Sequence, residues 1–434
     1  MILKPDRRRF LQAAAAAGAA SSIVPAVSRG EEKREAPSRR LTLGCIGVGG
    51  KGRNNLGRFL TEKDVQVVAV CDVDENHTRL AADMVREKYG NDDCRVYADF
   101  RELLARDDID AVSIATPDHW HALTAIAAAE AGKHIYCEKP LANSVGEGRA
   151  ICNAVEQNKV LLQTGSHERS NPNARFAAEL VRNGRIGKLR EIVIHLPCDQ
   201  AHHQQVKEFS SKPAASSVPE GFDYDFWLGH TAEAPYSEKR CHFWWRFILA
   251  YGGGEMTDRG AHIIDLAQLG AGTDATGPVL IEAKGVQNPD SLYDAYMDYQ
   301  FVNTYGNGVR MTGKSEGPRG LKFIGDEGWI FVHVHGCKLE AEPASLLQTT
   351  FGENDVQLGR SPGHHRNFLD AVLHGAELMA PAEVGHRTAT ICHLNNIAMQ
   401  VGRSLKWNPE TEQIEGDEEA SALLTPAMRS PWKL

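Results

Sequence analysis

Three groups of residues in this sequence have types and spacings that can do chemistry. Gly47, Gly49 and Gly52 form a G-x-G-x-x-G run around Gly50. Glycines so spaced allow a tight turn, close approach of backbone to a pyrophosphate, and close packing of the helix that follows. A helix opening near Lys51 aims its free N–H groups at the phosphates. Asp72 ends the next apolar run, at about the twenty-residue offset where a carboxylate accepts both hydroxyls of an adenosine ribose and repels a 2′-phosphate. The pattern therefore selects NAD over NADP. The second group is Asp258 and His262, which a helix presents on one face. An imidazole with an ordinary pKa of about 6.5 can take a proton near neutrality, and the carboxylate can hold it in one tautomer or bind a substrate hydroxyl itself. Third is Lys139 in Glu138-Lys139-Pro140, whose ammonium can stabilise negative charge developing on an oxygen.

These groups need elements to position them. LTLGCI and VQVVAVC read as apolar strands on either side of the glycine turn and its helix. Helices are predicted over 76–89 and 99–105, and a buried strand over 111–115 that stops at Thr116-Pro117-Asp118. That turn falls on the edge where doubly wound sheets bind ligands. Helix 119–131, strand 133–137, helix 146–157 and strand 160–163 complete the βα rhythm by Gly165. A doubly wound, Rossmann-type parallel sheet over 41–166 follows.

Beyond Gly165 the rhythm changes. Helix 173–183 and strand 189–196 are followed by strand-like runs at 279–285, 295–302, 309–312, 321–324 and 329–334, without helices between them. Such an order predicts a separate α+β domain over 167–434 with an open, mostly antiparallel sheet. Residues 200–221 read as a long surface loop, and 364–373 and 387–401 as closing helices.

The N-terminus differs from both. Arg7-Arg8-Arg9-Phe10-Leu11 before an alanine-rich run resembles a twin-arginine export signal over 1–28, with Asp6 where Ser or Thr is usual. It implies a periplasmic or otherwise exported protein, with 29–40 as a linker. The run is too short and too alanine-rich to span a bilayer, so no stable membrane insertion is expected. Across the 434 residues, 42% are hydrophobic, 24% are charged, and the net charge is −9. An ordinary globular composition without a basic stripe excludes a nucleic-acid partner. The nine cysteines are scattered without a C-x-x-C pair, which argues against a disulfide framework or zinc cluster. The pairs His119/His121, His333/His335, His202/His203 and His364/His365 lack the carboxylate spacing of a metal site, so no metal is expected.

The glycine turn, Thr116-Pro117, Glu138-Lys139-Pro140, Gly252-Gly253-Gly254 with Asp258 and His262, and Gly325-Asp326-Glu327-Gly328-Trp329 occur in that order. Together they resemble the glucose-fructose oxidoreductase, inositol dehydrogenase and rhizopine-catabolism family (Gfo/Idh/MocA), over nearly all of the chain after the leader. The resemblance implies a Rossmann domain, a C-terminal sheet carrying substrate and homo-oligomer contacts, and oxidation of a secondary alcohol of a sugar or cyclitol with NAD(P). It also implies Lys139, Asp258 and His262 as a catalytic trio and a cis peptide before Pro140. NAD is expected at Gly47, Gly49, Gly50, Gly52, Asp72, Thr116, Pro117, His121, Glu138 and Lys139. A carbohydrate is expected at Arg169, His242, Trp244, Arg246, Tyr251, Asp258 and His262, because sugar C–H faces stack on rings and hydroxyls take charged partners. The same residues would serve an NAD-dependent glycosidase that oxidises, eliminates and reduces with bound cofactor. A sugar or NAD sensor without turnover is the alternative from another class.

Overall fold

Strands covered on both faces must be apolar almost throughout. In the computed structural model the three richest such runs, β1 (Leu41–Ile46), β2 (Val65–Cys71) and β4 (Ala111–Ile114), lie side by side inside one sheet. With β3 (Arg95–Tyr97), β5 (His134–Cys137) and β6 (Leu162–Thr164) they form six parallel strands in the order β3-β2-β1-β4-β5-β6. The order reverses between β1 and β4, which leaves a crevice beyond the strands' carboxyl ends. Structure is described for residues 40–208 and 211–434. The leader and linker expectations concern residues outside that set.

Helices Gly50–Phe59, Glu75–Tyr89, His121–Glu130 and Val145–Asn158 return the chain from strand to strand. The second of these starts where Asp74 accepts the Asn76 N–H and stops at Gly90, whose φ of 73° ends it with a left-handed turn.

The second sheet has nine strands in the order β13-β12-β11-β7-β10-β9-β8-β14-β15. They are β7 (Leu189–His195), β8 (Pro278–Val286), β9 (Asp298–Tyr305), β10 (Arg310–Lys314), β11 (Gly320–Gly325), β12 (Trp329–His333), β13 (Leu339–Glu342), β14 (Leu405–Asn408) and β15 (Gln413–Ile414). Only the β7–β10 pairing is parallel. Alternation along these strands buries Ile192, Ile194, Phe301, Met311, Leu321 and Phe323 against Ile263, Ile264, Ile391 and Leu394 of helices Gly260–Ala271 and Ala382–Val401. The helix bearing His262 is thus clamped by the second sheet and reaches the crevice of the first.

The α/β plus α+β architecture is the one the sequence predicts, with two local corrections. Residues 200–221 are not all loop: QAHHQQVKE forms the helix Gln200–Glu208. It contains no Gly or Pro and is rich in good helix formers, which outweigh the Ser- and Pro-rich stretch after it. Strands β13 to β15 are too short to show a period in sequence. Among the described residues no helix is long and apolar enough to cross a membrane.

A Cβ added at Gly52 would lie 1.9 Å from the Gly47 carbonyl oxygen, a backbone atom that cannot swing aside. Gly52→Ala is therefore expected to lower stability by about 3 kcal/mol, read as a fall in the urea midpoint. A Cβ at Gly50 meets nothing within 4 Å, so Gly50→Ala should leave the midpoint in place.

Candidate active site

The crevice widens into a cavity of about 540 Å³ walled by the strand ends of the first sheet and by segments 222–246 and 258–262. At one end is the glycine turn. Gly47 has φ +74°, and a Cβ there would meet the Thr116 nitrogen at 2.5 Å. Helix Gly50–Phe59 begins at Gly49 with no side-chain cap and no acid in its first turn, so its leading N–H groups are free for an anion. Asp72 is pinned beside them. Its Oδ2 accepts the Val48 N–H at 2.8 Å and its Oδ1 the Asp74 N–H at 3.0 Å. A backbone cradle that any side chain would fill, an uncapped helix and a fixed carboxylate fit the pyrophosphate and ribose of a dinucleotide.

Lys139 stands at the other end, ahead of a cis Lys139–Pro140 bond. Its Nζ donates to Asp258 Oδ1 at 2.6 Å and to the Asp258 carbonyl oxygen at 2.8 Å. Arg246 Nε lies 3.6 Å from the same Oδ1. Burial would raise the Asp258 carboxyl, but Lys139 and Arg246 outweigh it and hold the group ionised, far below the ordinary carboxylate range. Glu138 turns away from this pair: it accepts Asn55 Nδ2 at 2.9 Å and lies 3.3 Å from Lys51 Nζ. His121 lies between the two strand-end turns, with Nδ1 2.7 Å from Pro140 O and Nε2 3.1 Å from Thr116 O, and its single N–H donates to one of them. Thr116, Pro117, Glu138 and His121 all line the cavity.

His262 is 4% exposed and lines the same cavity. Its Nδ1 is buried without a hydrogen-bond partner. Burial first, then the charges of Lys139 and His167, push the imidazole well below its ordinary pKa, so it is neutral at pH 7. The carboxylate does not orient the ring, contrary to the spacing argument. Lys139 takes the Asp258 carbonyl, and the His262 N–H bonds Arg259 O at 3.0 Å, so the regular helical register between the two residues is lost.

Three expected substrate residues lie elsewhere. Arg169 is 3% exposed and bound to Asp265 Oδ2 at 2.7 Å and Asp274 Oδ1 at 2.6 Å, away from the cavity. Tyr251 is packed on Trp227 and His119 with ring centroids 5.0 and 5.1 Å away. Trp244 does not line the cavity, whereas Phe243 and Trp245 do. The segment ends in the 3₁₀ turn Trp244–Phe247, which puts residues three apart on one side, so Phe243 and Arg246 face inward together. The Arg246 guanidinium lies 4.4 Å from the Trp245 ring and 4.9 Å from the Phe243 ring.

Sequence reasoning passed over three further groups. Asp118 lines the cavity, and burial pushes its carboxyl well above the usual range while Lys139 and Arg246 pull the other way. His167 and His335 bring their rings to 4.7 and 5.9 Å from that of His262. Only Asp118 carried a signal, as the residue after the strand-end Thr-Pro; His167 opens the 3₁₀ turn His167–Ser170 and His335 lies in a turn after β12, with no shared spacing.

Fold and cavity together define a two-domain oxidoreductase built on a dinucleotide-binding sheet. Residues 41–166 match the NAD-binding Rossmann fold of an oxidoreductase family and residues 180–434 match its C-terminal alpha/beta domain. The chain belongs to the Gfo/Idh/MocA family. It is 26% identical over 309 residues to levoglucosan dehydrogenase of Pseudarthrobacter phenanthrenivorans, covering 65% of this chain and 67% of that protein. It is 34% identical over 209 residues to alpha-N-acetylgalactosaminidase of Shewanella oneidensis, covering 42% and 44%. The chain thus spans less than half the length of some curated relatives that it matches. Aldose-aldose oxidoreductase of Caulobacter crescentus, solved with glycerol, shares the fold at a TM-score of 0.61 and 20% identity, over 85% of this chain and 100% of that one.

The placement of Arg169 can be tested. Asp265→Ala leaves an always-charged, buried guanidinium with Asp274 as its remaining carboxylate, and is expected to cost about 1.5–3 kcal/mol in urea unfolding. Nucleotide affinity of the folded fraction, read by fluorescence titration, should be unchanged.

Proposed function

We propose that this protein oxidises a secondary alcohol of a sugar, cyclitol or related carbohydrate with NAD as hydride acceptor. The observation that carries this reading is that Lys139, Asp258 and His262, from segments far apart in sequence, line the cavity whose other end holds the glycine turn and Asp72. Gly47, Gly49, Gly50 and Asp72 would hold the dinucleotide, which when bound supplies the carbon that receives hydride. The remaining chemistry belongs to side chains. A hydride leaves carbon readily only as the hydroxyl proton departs, and neutral His262 accepts that proton at Nε2. Lys139 spends two of its three N–H groups on Asp258 and has the third for the substrate oxygen, where it stabilises the forming alkoxide. Asp258 acts through Lys139, holding the ammonium in place. Arg246 and the rings of Phe243 and Trp245 provide a polar and aromatic wall for a polyol, while His242 lies farther along, against His77 beside Asp72. NAD is favoured over NADP because the two backbone amides prevent Asp72 from swinging away from a 2′-phosphate.

A second reading uses the same groups for glycoside cleavage by transient oxidation, elimination and reduction. It is favoured by the similarity to a protein named as an N-acetylgalactosaminidase. Aglycone released without net reduced nicotinamide would establish it.

The test is a panel of sugars, sugar acids and glycosides followed at the reduced-nicotinamide absorbance band. His262→Ala should lower kcat about 10²–10⁴-fold with NAD affinity retained; unchanged turnover would remove His262 as the base. The working form is the neutral imidazole, whose folded pKa lies below the ordinary 6.5. The acid limb of kcat/KM should therefore hold through pH 6.5 and fall only at lower pH. Asp72→Ser should narrow the NAD-to-NADP ratio of kcat/KM by about tenfold through lost charge repulsion.

A further inference from the structure

One rim of the cavity carries groups that hydride transfer does not use. Asp74 and His77 sit at the start of the helix after β2, and His242 arrives from the aromatic segment that closes over it. Each offers one ligand atom, and these atoms all lie within 4.8 Å of one another.

The His77 ring is held between two carboxylates. Its Nδ1 is 3.3 Å from Asp72 Oδ2, so that nitrogen donates, and a cation would take the place of a proton on Nε2. Nε2 lies 3.9 Å from Asp74 Oδ2. A carboxylate that accepts from one ring nitrogen while the other faces a donor set is the arrangement that orients metal-bound histidines and raises their basicity. Asp74 has one oxygen to spare, because Oδ1 accepts the Asn76 N–H. His242 is edge-on to His77, with ring centroids 5.5 Å apart.

The frame around them is fixed. The Glu75 N–H bonds Gly221 O and the Asp223 N–H bonds Val73 O, both at 2.9 Å. The aromatic segment is thereby stitched to the end of β2 on the side where His242 lies.

We propose that Asp74, His77 and His242 bind a divalent transition metal of the zinc class, which clips the aromatic segment to the nucleotide-binding domain beside Asp72. Two imidazoles and a carboxylate suit such a cation better than magnesium or calcium, which take oxygen ligands. Bonds of about 2.0–2.2 Å require the three donors to draw together slightly, and His242, exposed at the rim, is free to do so. The remaining coordination position opens to the cavity. No spacing along the chain marked this set, since its members are three and 165 positions apart.

The test treats the full chain with chelator and titrates it with Zn²⁺ by calorimetry, with Mg²⁺ in parallel, and records thermal unfolding with each ion. One Zn²⁺ per chain, a raised unfolding midpoint and no response to Mg²⁺ are expected. His242→Ala and His77→Gln should each weaken Zn²⁺ by at least about tenfold, and circular dichroism should show both folded. If His77→Gln does not fold, His242→Ala decides alone. Absence of Zn²⁺ binding in the unaltered chain, or equal affinity in folded His242→Ala, overturns the proposal.

Discussion

The Lys139–Asp258 pair is the interaction on which the rest depends. It joins the end of a strand in the first sheet to a helix anchored on the second, across 119 positions of sequence. A buried ammonium with no partner would cost more than its packing returns. The two domains must therefore meet where this pair can form, and its donors reach both the carboxylate and the carbonyl of one residue. That double contact fixes the ammonium where the helix register breaks ahead of His262.

Burial then decides which groups carry charge. Asp258 stays ionised because two cations face it, although burial opposes this. Glu138 stays ionised through Lys51, Asn55 and Lys139, although burial opposes this too. His262 is left neutral because its surroundings are dry and already positive. Asp118 is pushed toward its acid form. A cavity walled by a fixed ammonium, a neutral imidazole and a carboxyl raised by burial can bind hydroxyls and move a proton without an exposed charge pair to quench it.

The aromatic segment serves as the third wall. Phe222 and His242 lie against the end of β2, with ring centroids 5.6 Å apart, and Phe243, Trp245 and Arg246 face the cavity. Backbone bonds to Val73 and Glu75 mean that this wall is set by the first domain as much as by the second. A group bound at Asp72 and a group bound near Arg246 are consequently enclosed by one continuous surface.

Local chemistry was legible in the sequence. The glycine turn, the uncapped helix and Asp72 form a unit of about thirty residues whose geometry follows from steric rules at each position. The parallel sheet followed from apolar runs alternating with helices, and the second sheet from strands without them. The sequence also marked Lys139, Asp258 and His262 as reactive types. Partnership was not legible. Spacing suggested that Asp258 could hold His262, and a charge at the domain junction suggested that Arg169 would face a substrate. Yet Lys139 claimed the carboxylate and Asp265 claimed the guanidinium. Those choices are made by whichever opposite charge the packed chain brings within about 3 Å in a dry interior, and desolvation makes them compulsory there. Periodicity determines which face a residue occupies, whereas only the meeting of the two domains decides what stands opposite it.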